Sequence, residues 1–344
     1  MQESATAARG REEQRVRSLL DEAARCRTVD PMQSRQFALD ARVLARTCSQ
    51  PMLEAEALYH LASIAHQRGR SEYAFALATE AVDLAEPDGV SLTLAWSLHL
   101  LGLVHYQASS YPDALAHCLR ALEVYRATDH GVDEGRILHT VAAIYQSMGD
   151  YDRAISTYEI ALAVNEALLR PDVDAMVLGN LARIRGRRGE HLAAVDLGRR
   201  AVALARHDAP HLVGSLLADL AEAHAGLGDL AMANACFAEA RADWNTRVES
   251  GEELPVTDQL GVMVSEGRIA LRAGRADEAI ASLLAALDLA DRTDQRELEL
   301  ELHDLLAVAC KQAGRLAEAL EHRAVSYTHL RAHETQEVIA YAVV

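Results

Sequence analysis

Apolar residues recur along this chain at helical spacing, in short runs each broken by one small turn residue. Leu138, Val141, Ala142 and Tyr145 fall at i, i+3, i+4 and i+7, one face of a helix, and beyond Gly149 the residues Ala154, Ile155, Tyr158, Ala161 and Leu162 do the same. Glycine suits a helix end that must enter a left-handed conformation before the chain turns back. The pattern therefore predicts an antiparallel helix hairpin centred on Gly149. The same phrase (turn residue, polar pair, alanine five positions on) starts at Gly69, Ser109, Gly149, Gly189, Gly228, Gly274 and Gly314, at intervals of 40, 40, 40, 39, 46 and 40. A fixed period of this size predicts a solenoid whose units bury their apolar faces against one another. The phrase alanines, Ala74 to Ala319, permit close helix contact, and a larger side chain there would overpack by roughly 1–3 kcal/mol. Ser109, the one non-glycine turn residue of the seven, is expected to carry about 1 kcal/mol of left-handed strain.

At the amino end, residues 1–10 are polar and are expected to be disordered, with a first helix over Arg11 to Arg27. Ser34 to Arg46 reads as the second helix of a degenerate first unit, bracketed by Pro31 and Pro51 as breakers. Pro171, Pro210 and Pro255 likewise sit between units, and Glu249 to Asp258 is a loop insertion that accounts for the 46-residue interval.

The repeat resembles the tetratricopeptide repeat. With the turn residue counted as position fifteen, the family's small residue at position eight is Ala62, Gly102, Ala142, Ala182, Ala221, Gly267 and Ala307. The later small residue, at position twenty-seven, is Ala81, Ala121, Ala161, Ala201, Ala240 and Ala286. The departure is the period, since the family's usual unit is about 34 residues; the extra length is assigned to longer helices and inter-repeat loops, as in long-period bacterial variants. The resemblance implies an all-α, right-handed superhelical solenoid of helix hairpins, about seven repeats plus the degenerate first one. Units are expected near 11–47, 51–86, 90–127, 132–170, 172–207, 210–249, 256–292 and 294–323.

The stretch Val325 to Thr335 matches the translation of a transposase-type sequencing adapter, and Ile339 to Val343 is one residue away from a second adapter segment. Residues 324–344 are therefore expected to be non-native, with the native sequence running on from near Arg323 in the intact protein. On that reading His329, His333 and Glu334, although at metal-ligand spacing, are not a site.

Composition narrows the function. The net charge of −17 disfavours nonspecific binding to nucleic acid or anionic membranes. No apolar run of membrane-spanning length and no secretory signal occurs, so a cytoplasmic location is expected. The five cysteines form no C-x-x-C pair and are expected to be buried reduced thiols. Phosphate loop, nucleophile elbow, dinucleotide fingerprint and H-E-x-x-H motif are all missing from the sequence, so neither catalysis, cofactor nor metal is expected.

In the family, positions two, five, nine and twelve of the first helices line a groove. Carried onto this chain, position five gives Tyr59, His99 and His139; position two gives Trp96 and Arg136; position nine gives Ser63 and Arg183; position twelve gives His66, Tyr106 and Gln146. Such a ladder of aromatic, imidazole and guanidinium groups suits a peptide or protein partner held by stacking and bidentate hydrogen bonds. Trp96 and Tyr106 are the expected anchors. The alternative is that some of these residues pack against neighbouring helices and Trp96 closes an inter-repeat seam. The lysine–asparagine carboxylate clamp of chaperone-tail binders is not expected, because Lys311 is the only lysine and stands in the last unit. The expected function is a non-catalytic protein- or peptide-binding scaffold, resembling the amino-terminal repeat regions of bacterial signalling proteins such as diguanylate cyclases. A peptide-sensing transcription regulator and a stand-alone assembly scaffold are the alternatives.

Overall fold

The structure, a computed structural model, describes residues 2–27, 29–128, 134–168, 171–252, 256–293 and 296–325. The chain divides into two compact units, Met1–Leu169 and Arg170–Val344. Among the described residues every regular element is helical. Unit 1 holds α1 (Gln2–Cys26), α2 (Pro31–Thr47), α3 (Pro51–Gln67), α4 (Ser71–Ala85), α5 (Leu92–Gln107), α6 (Tyr111–Ala127), α7 (Glu134–Ser147) and α8 (Tyr151–Leu168). Unit 2 holds α9 (Pro171–Arg187), α10 (His191–Asp208), α11 (Val213–Gly226), α12 (Leu230–Glu249), α13 (Val256–Arg272), α14 (Ala276–Arg292) and α15 (Arg296–Gln312), followed by α16 at 316–325. Consecutive helices pack in pairs and the pairs stack, which makes each unit a solenoid of hairpins.

The hairpin turns close as their sequence requires. Gly69 adopts φ 69°, its N–H donates to the His66 carbonyl, and the N–H of Arg70 donates to the Ala65 carbonyl at 2.9 Å. Two orphan carbonyls at the helix end are thereby satisfied. Ser109 takes the same left-handed conformation at φ 58° and makes the same pair of bonds. Beneath the turns, Ala62, Ala142 and Ala221 at position eight and Ala81, Ala121 and Ala161 at position twenty-seven are fully buried, so small side chains do set the helix spacing. Gly102 is tighter still: a Cβ there would lie 2.3 Å from Cys118 Sγ and 3.2 Å from the Ala114 carbonyl oxygen.

Three expectations are corrected. Residues 2–10 form the first turns of α1 rather than a disordered tail, because Ala5, Ala7, Ala8 and Arg9 favour helix by propensity whatever their polarity. Pro31, Pro51 and Pro171 do mark helix boundaries, but from inside the helices rather than in the connections: they are the first residues of α2, α3 and α9, where the missing N–H costs no bond. All five thiols are free, but Cys26 and Cys48 are only half-buried, since they stand at the ends of α1 and α2 rather than inside a hairpin.

The 46-residue interval has a structural counterpart. The twenty-residue α12 packs thinly on α13, while α11 packs directly against α13. A cleft of about 670 Å³ opens between α12, α13 and α14, floored by Phe237 and Ile269. At the last hairpin Leu316 and Leu320 are 63% and 71% exposed. The adapter-like residues from Ser326 onward lie outside the described residues, as does Pro255.

Candidate binding faces

Nine of the ten residues read from the sequence as groove-lining belong to unit 1. Trp96, His99 and Tyr106 fall within one stripe of α5, because 3.6 residues per turn brings i, i+3 and i+10 to nearly the same side. All three are half-buried, and each is tied to an adjacent hairpin. Trp96 stacks on Tyr59 of α3, with ring centroids 5.5 Å apart, and its indole N–H donates to the Tyr125 hydroxyl on α6 at 2.9 Å. Arg27 in turn donates to the Tyr59 hydroxyl at 3.4 Å. His99 Nε2 lies 2.9 Å from Thr140 Oγ1, and the Tyr106 hydroxyl lies 3.1 Å from Ser147 Oγ, both bonds reaching α7.

The remaining unit 1 residues continue this seam or leave it. His139 packs its ring against Tyr158 of α8 at 5.7 Å, and the Tyr158 hydroxyl donates to Gln146 at 3.5 Å. Ser63 is buried inside α3 and unavailable to a partner, which removes it from the face. Arg136 is exposed. His66 is half-buried, its Nδ1 makes no hydrogen bond, and burial pushes its pKa down. Its neighbour His60 is almost fully buried against Tyr59, and burial together with the Arg27 charge lowers it to about 4. Unit 1 therefore presents a face of rings joined by stacking and hydrogen bonds. Several of these groups pack across the seams between repeats while keeping an exposed edge.

Arg183, the tenth residue, stands in unit 2 on α9 and pairs with Asp219 of α11 at 3.0 Å. Around it lie charged residues that the sequence reading did not single out. Glu222 on α11 accepts from Ser265 at 2.5 Å and from Arg268 of α13 at 2.9 Å. Arg268 also donates to Glu301 of α15, and Arg187 of α9 approaches the other Glu301 oxygen at 3.5 Å. A recess of about 300 Å³ lies between these helices. Burial raises the Asp219 carboxyl above its ordinary range in spite of Arg183. The overlooked signal was positional: Glu222 and Arg268 occupy position nine, like Arg183, and Glu301 occupies position two. Among the described residues no group of three or more His, Cys, Asp or Glu side chains is placed to hold a metal ion, and no helix is long and apolar enough to cross a membrane.

The family model for the tetratricopeptide repeat matches residues 53–130 and 133–207, the stretch that holds all ten residues. The hairpins of these two stretches match the tetratricopeptide repeat. Solved structures of similar fold include a Rap protein complexed with competence and sporulation factor, at 13% identity and TM-score 0.68, covering 94% of this chain and 99% of the other. The Rap conjugation gene regulator of the plasmid pLS20, in complex with the Phr* peptide, is 12% identical with TM-score 0.66, covering 96% and 98%. Aspartyl phosphate phosphatase F from Bacillus subtilis is 15% identical with TM-score 0.62, covering 85% and 74%. At these identities the tetratricopeptide fold is shared and nothing finer. No match was found among curated proteins.

Proposed function

We propose that this tetratricopeptide-repeat chain is a non-catalytic scaffold that holds a peptide or extended protein segment on the first-helix face of unit 1, with Trp96 and Tyr106 as anchors. The observation that carries the reading is the α5 stripe. Trp96, His99 and Tyr106 keep part of each ring at the surface while their inner atoms are fixed by Tyr125, Thr140 and Ser147. Rings held in place before binding lose little rotamer entropy on capture, and aromatic anchors of this kind carry much of the energy at protein interfaces. The similar fold of a Rap protein complexed with the Phr* peptide supports a peptide as the ligand. It also favours the second reading, a peptide-sensing regulator. In the wider reading the scaffold is the input module of a cytoplasmic signalling protein; this rests on the resemblance of its repeats to those preceding diguanylate cyclases and on five free thiols, which suit a reducing compartment.

Selection from a displayed peptide library, followed by titration of the best binder, tests the site. Trp96→Ala combined with Tyr106→Ala is expected to weaken binding at least tenfold while the helical circular dichroism is retained. An unchanged affinity would remove the site assignment.

A further inference from the structure

The recess of unit 2 has an unbalanced charge. Asp219 and Glu222 each have an arginine of their own, Arg183 and Arg268. The third carboxylate, Glu301, reaches in from α15 and is approached by two guanidinium groups at once, Arg268 from α13 and Arg187 from α9. Arg272, one turn beyond Arg268 on α13, lines the same recess and has no hydrogen bond or ion pair among the described residues. Its charge is felt there nevertheless, since it helps to hold His191, which also lines the recess, below the ordinary histidine range after burial has lowered it first. Four arginines thus face three carboxylates. A guanidinium fork matches the two oxygens of a carboxylate, and Arg272, exposed at the rim of the recess and without an ion pair, can offer both donors to an incoming anion.

We propose that Arg187, Arg268 and Arg272 form an anion subsite for a carboxylate of a bound acidic peptide, and that Glu301 stands in it as a resident competitor. Glu301 already shows how a carboxylate sits between α9 and α13. An incoming carboxylate finds Arg272 open, and by taking Arg187 from Glu301 it completes the pairing of the surplus cation. A cationic ligand has no such opening, because Asp219 and Glu222 are already paired. The peptide itself rests on the scaffold reading; the anion subsite lies in the other unit and is tested separately.

The carboxylate can come from acidic side chains or from a peptide carboxyl terminus, and three probes separate them: an acetylated, amidated octapeptide rich in glutamate, its glutamine counterpart, and a neutral octapeptide with a free carboxyl terminus. Each is titrated calorimetrically into the full chain. The glutamate peptide is expected to bind, more weakly as salt rises, and the glutamine peptide is expected not to bind. Arg272→Gln should weaken the glutamate peptide about tenfold, and Glu301→Gln should strengthen it about tenfold by removing the competitor. Trp96→Ala with Tyr106→Ala should leave it unchanged, so failure of the unit 1 site and failure of this subsite are distinguishable. Arg272 makes no internal bond, so its variant is expected to keep the wild-type melting curve. Preferential binding of the neutral free-carboxyl peptide would assign the subsite to a chain terminus and overturn the side-chain assignment. Equal binding of the glutamate and glutamine peptides would overturn the proposal. So would an affinity unmoved by both Arg272→Gln and Glu301→Gln, or an absence of glutamate-peptide binding to the wild type and the Glu301→Gln variant alike.

Discussion

The two units are built from one repeat and present opposite chemistries on their first helices. In unit 1 the face consists of rings and hydroxyls, with Tyr59 stacked on Trp96 and hydrogen bonds joining His99 to Thr140 and Tyr106 to Ser147. In unit 2 the corresponding helices carry arginines and carboxylates in alternation, from Arg183 through Glu222 and Arg268 to Glu301. The buried positions do not share this difference. Ala142 and Ala221, Ala121 and Ala240 are all fully buried, and Gly102 and Gly267 are both pressed by a side chain of the facing helix. The fold therefore constrains the small residues between helices and leaves the outward positions open to either chemistry, which is how repeat arrays acquire new ligands.

Acid should separate the units most strongly. His60 is held near 4 in the folded chain, so the unfolded chain takes its proton first, and stability is full above the ordinary value of 6.5 and falls as pH drops below it. The loss amounts to up to about 3 kcal/mol by pH 4. Asp219 has the opposite sign: its folded pKa is raised, so the folded chain takes that proton first and unit 2 gains as pH approaches the carboxylate range. Hydrogen exchange at pH 7 and pH 5, corrected for intrinsic rates, should show α3 losing protection relative to α11, and His60→Leu should remove most of the change in α3, leaving the smaller share of His66. Parallel behaviour of the two helices would break the comparison.

The common core is tested by glycine replacement. Gly102→Ala in unit 1 and Gly267→Ala in unit 2 should each destabilise by about 2 kcal/mol, because the added Cβ meets Cys118 Sγ at 2.3 Å or Leu283 Cγ at 2.6 Å. Gly261→Ala, on the outward side of α13 with nothing within 4 Å, should be neutral or stabilising. Denaturant midpoints that fail to rank the three in this way would mean that the buried positions are not equivalent. The smallest effect is at the turns: Ser109→Gly should raise stability by about 1 kcal/mol by relieving a left-handed serine, and a melting temperature that does not rise would show that strain absent.

How much of this was legible depended on what kind of position was being read. Turn residues and small core residues recur at fixed intervals and admit few alternatives, so Gly69, Ala62 and Ala81 announce the hairpin by their identity alone. Trp96 and Tyr106 were legible as groove residues because the tetratricopeptide pattern puts positions two and twelve of the first helix on that face. Their bonds to Tyr125 and Ser147 were not, since the first depends on how α5 packs on α6 and the second on how that hairpin leans on the next. Arg268 and Glu301 were harder still. Each is an ordinary residue on a charged helix, and only the stacking of α9, α13 and α15 makes a network of them. Ser63 shows the converse, a groove position on paper that the packing of α3 closes.

The contact between Arg187 and Glu301 joins residues 114 apart in a chain whose other links mostly span a single repeat. In mechanical terms unit 2 is a spring with a clasp between distant coils. Pulled from its ends, it would lose the clasp first, and the hairpins would then be free to extend one at a time, each releasing about 140 Å of chain at roughly 3.5 Å per residue over ~40 residues.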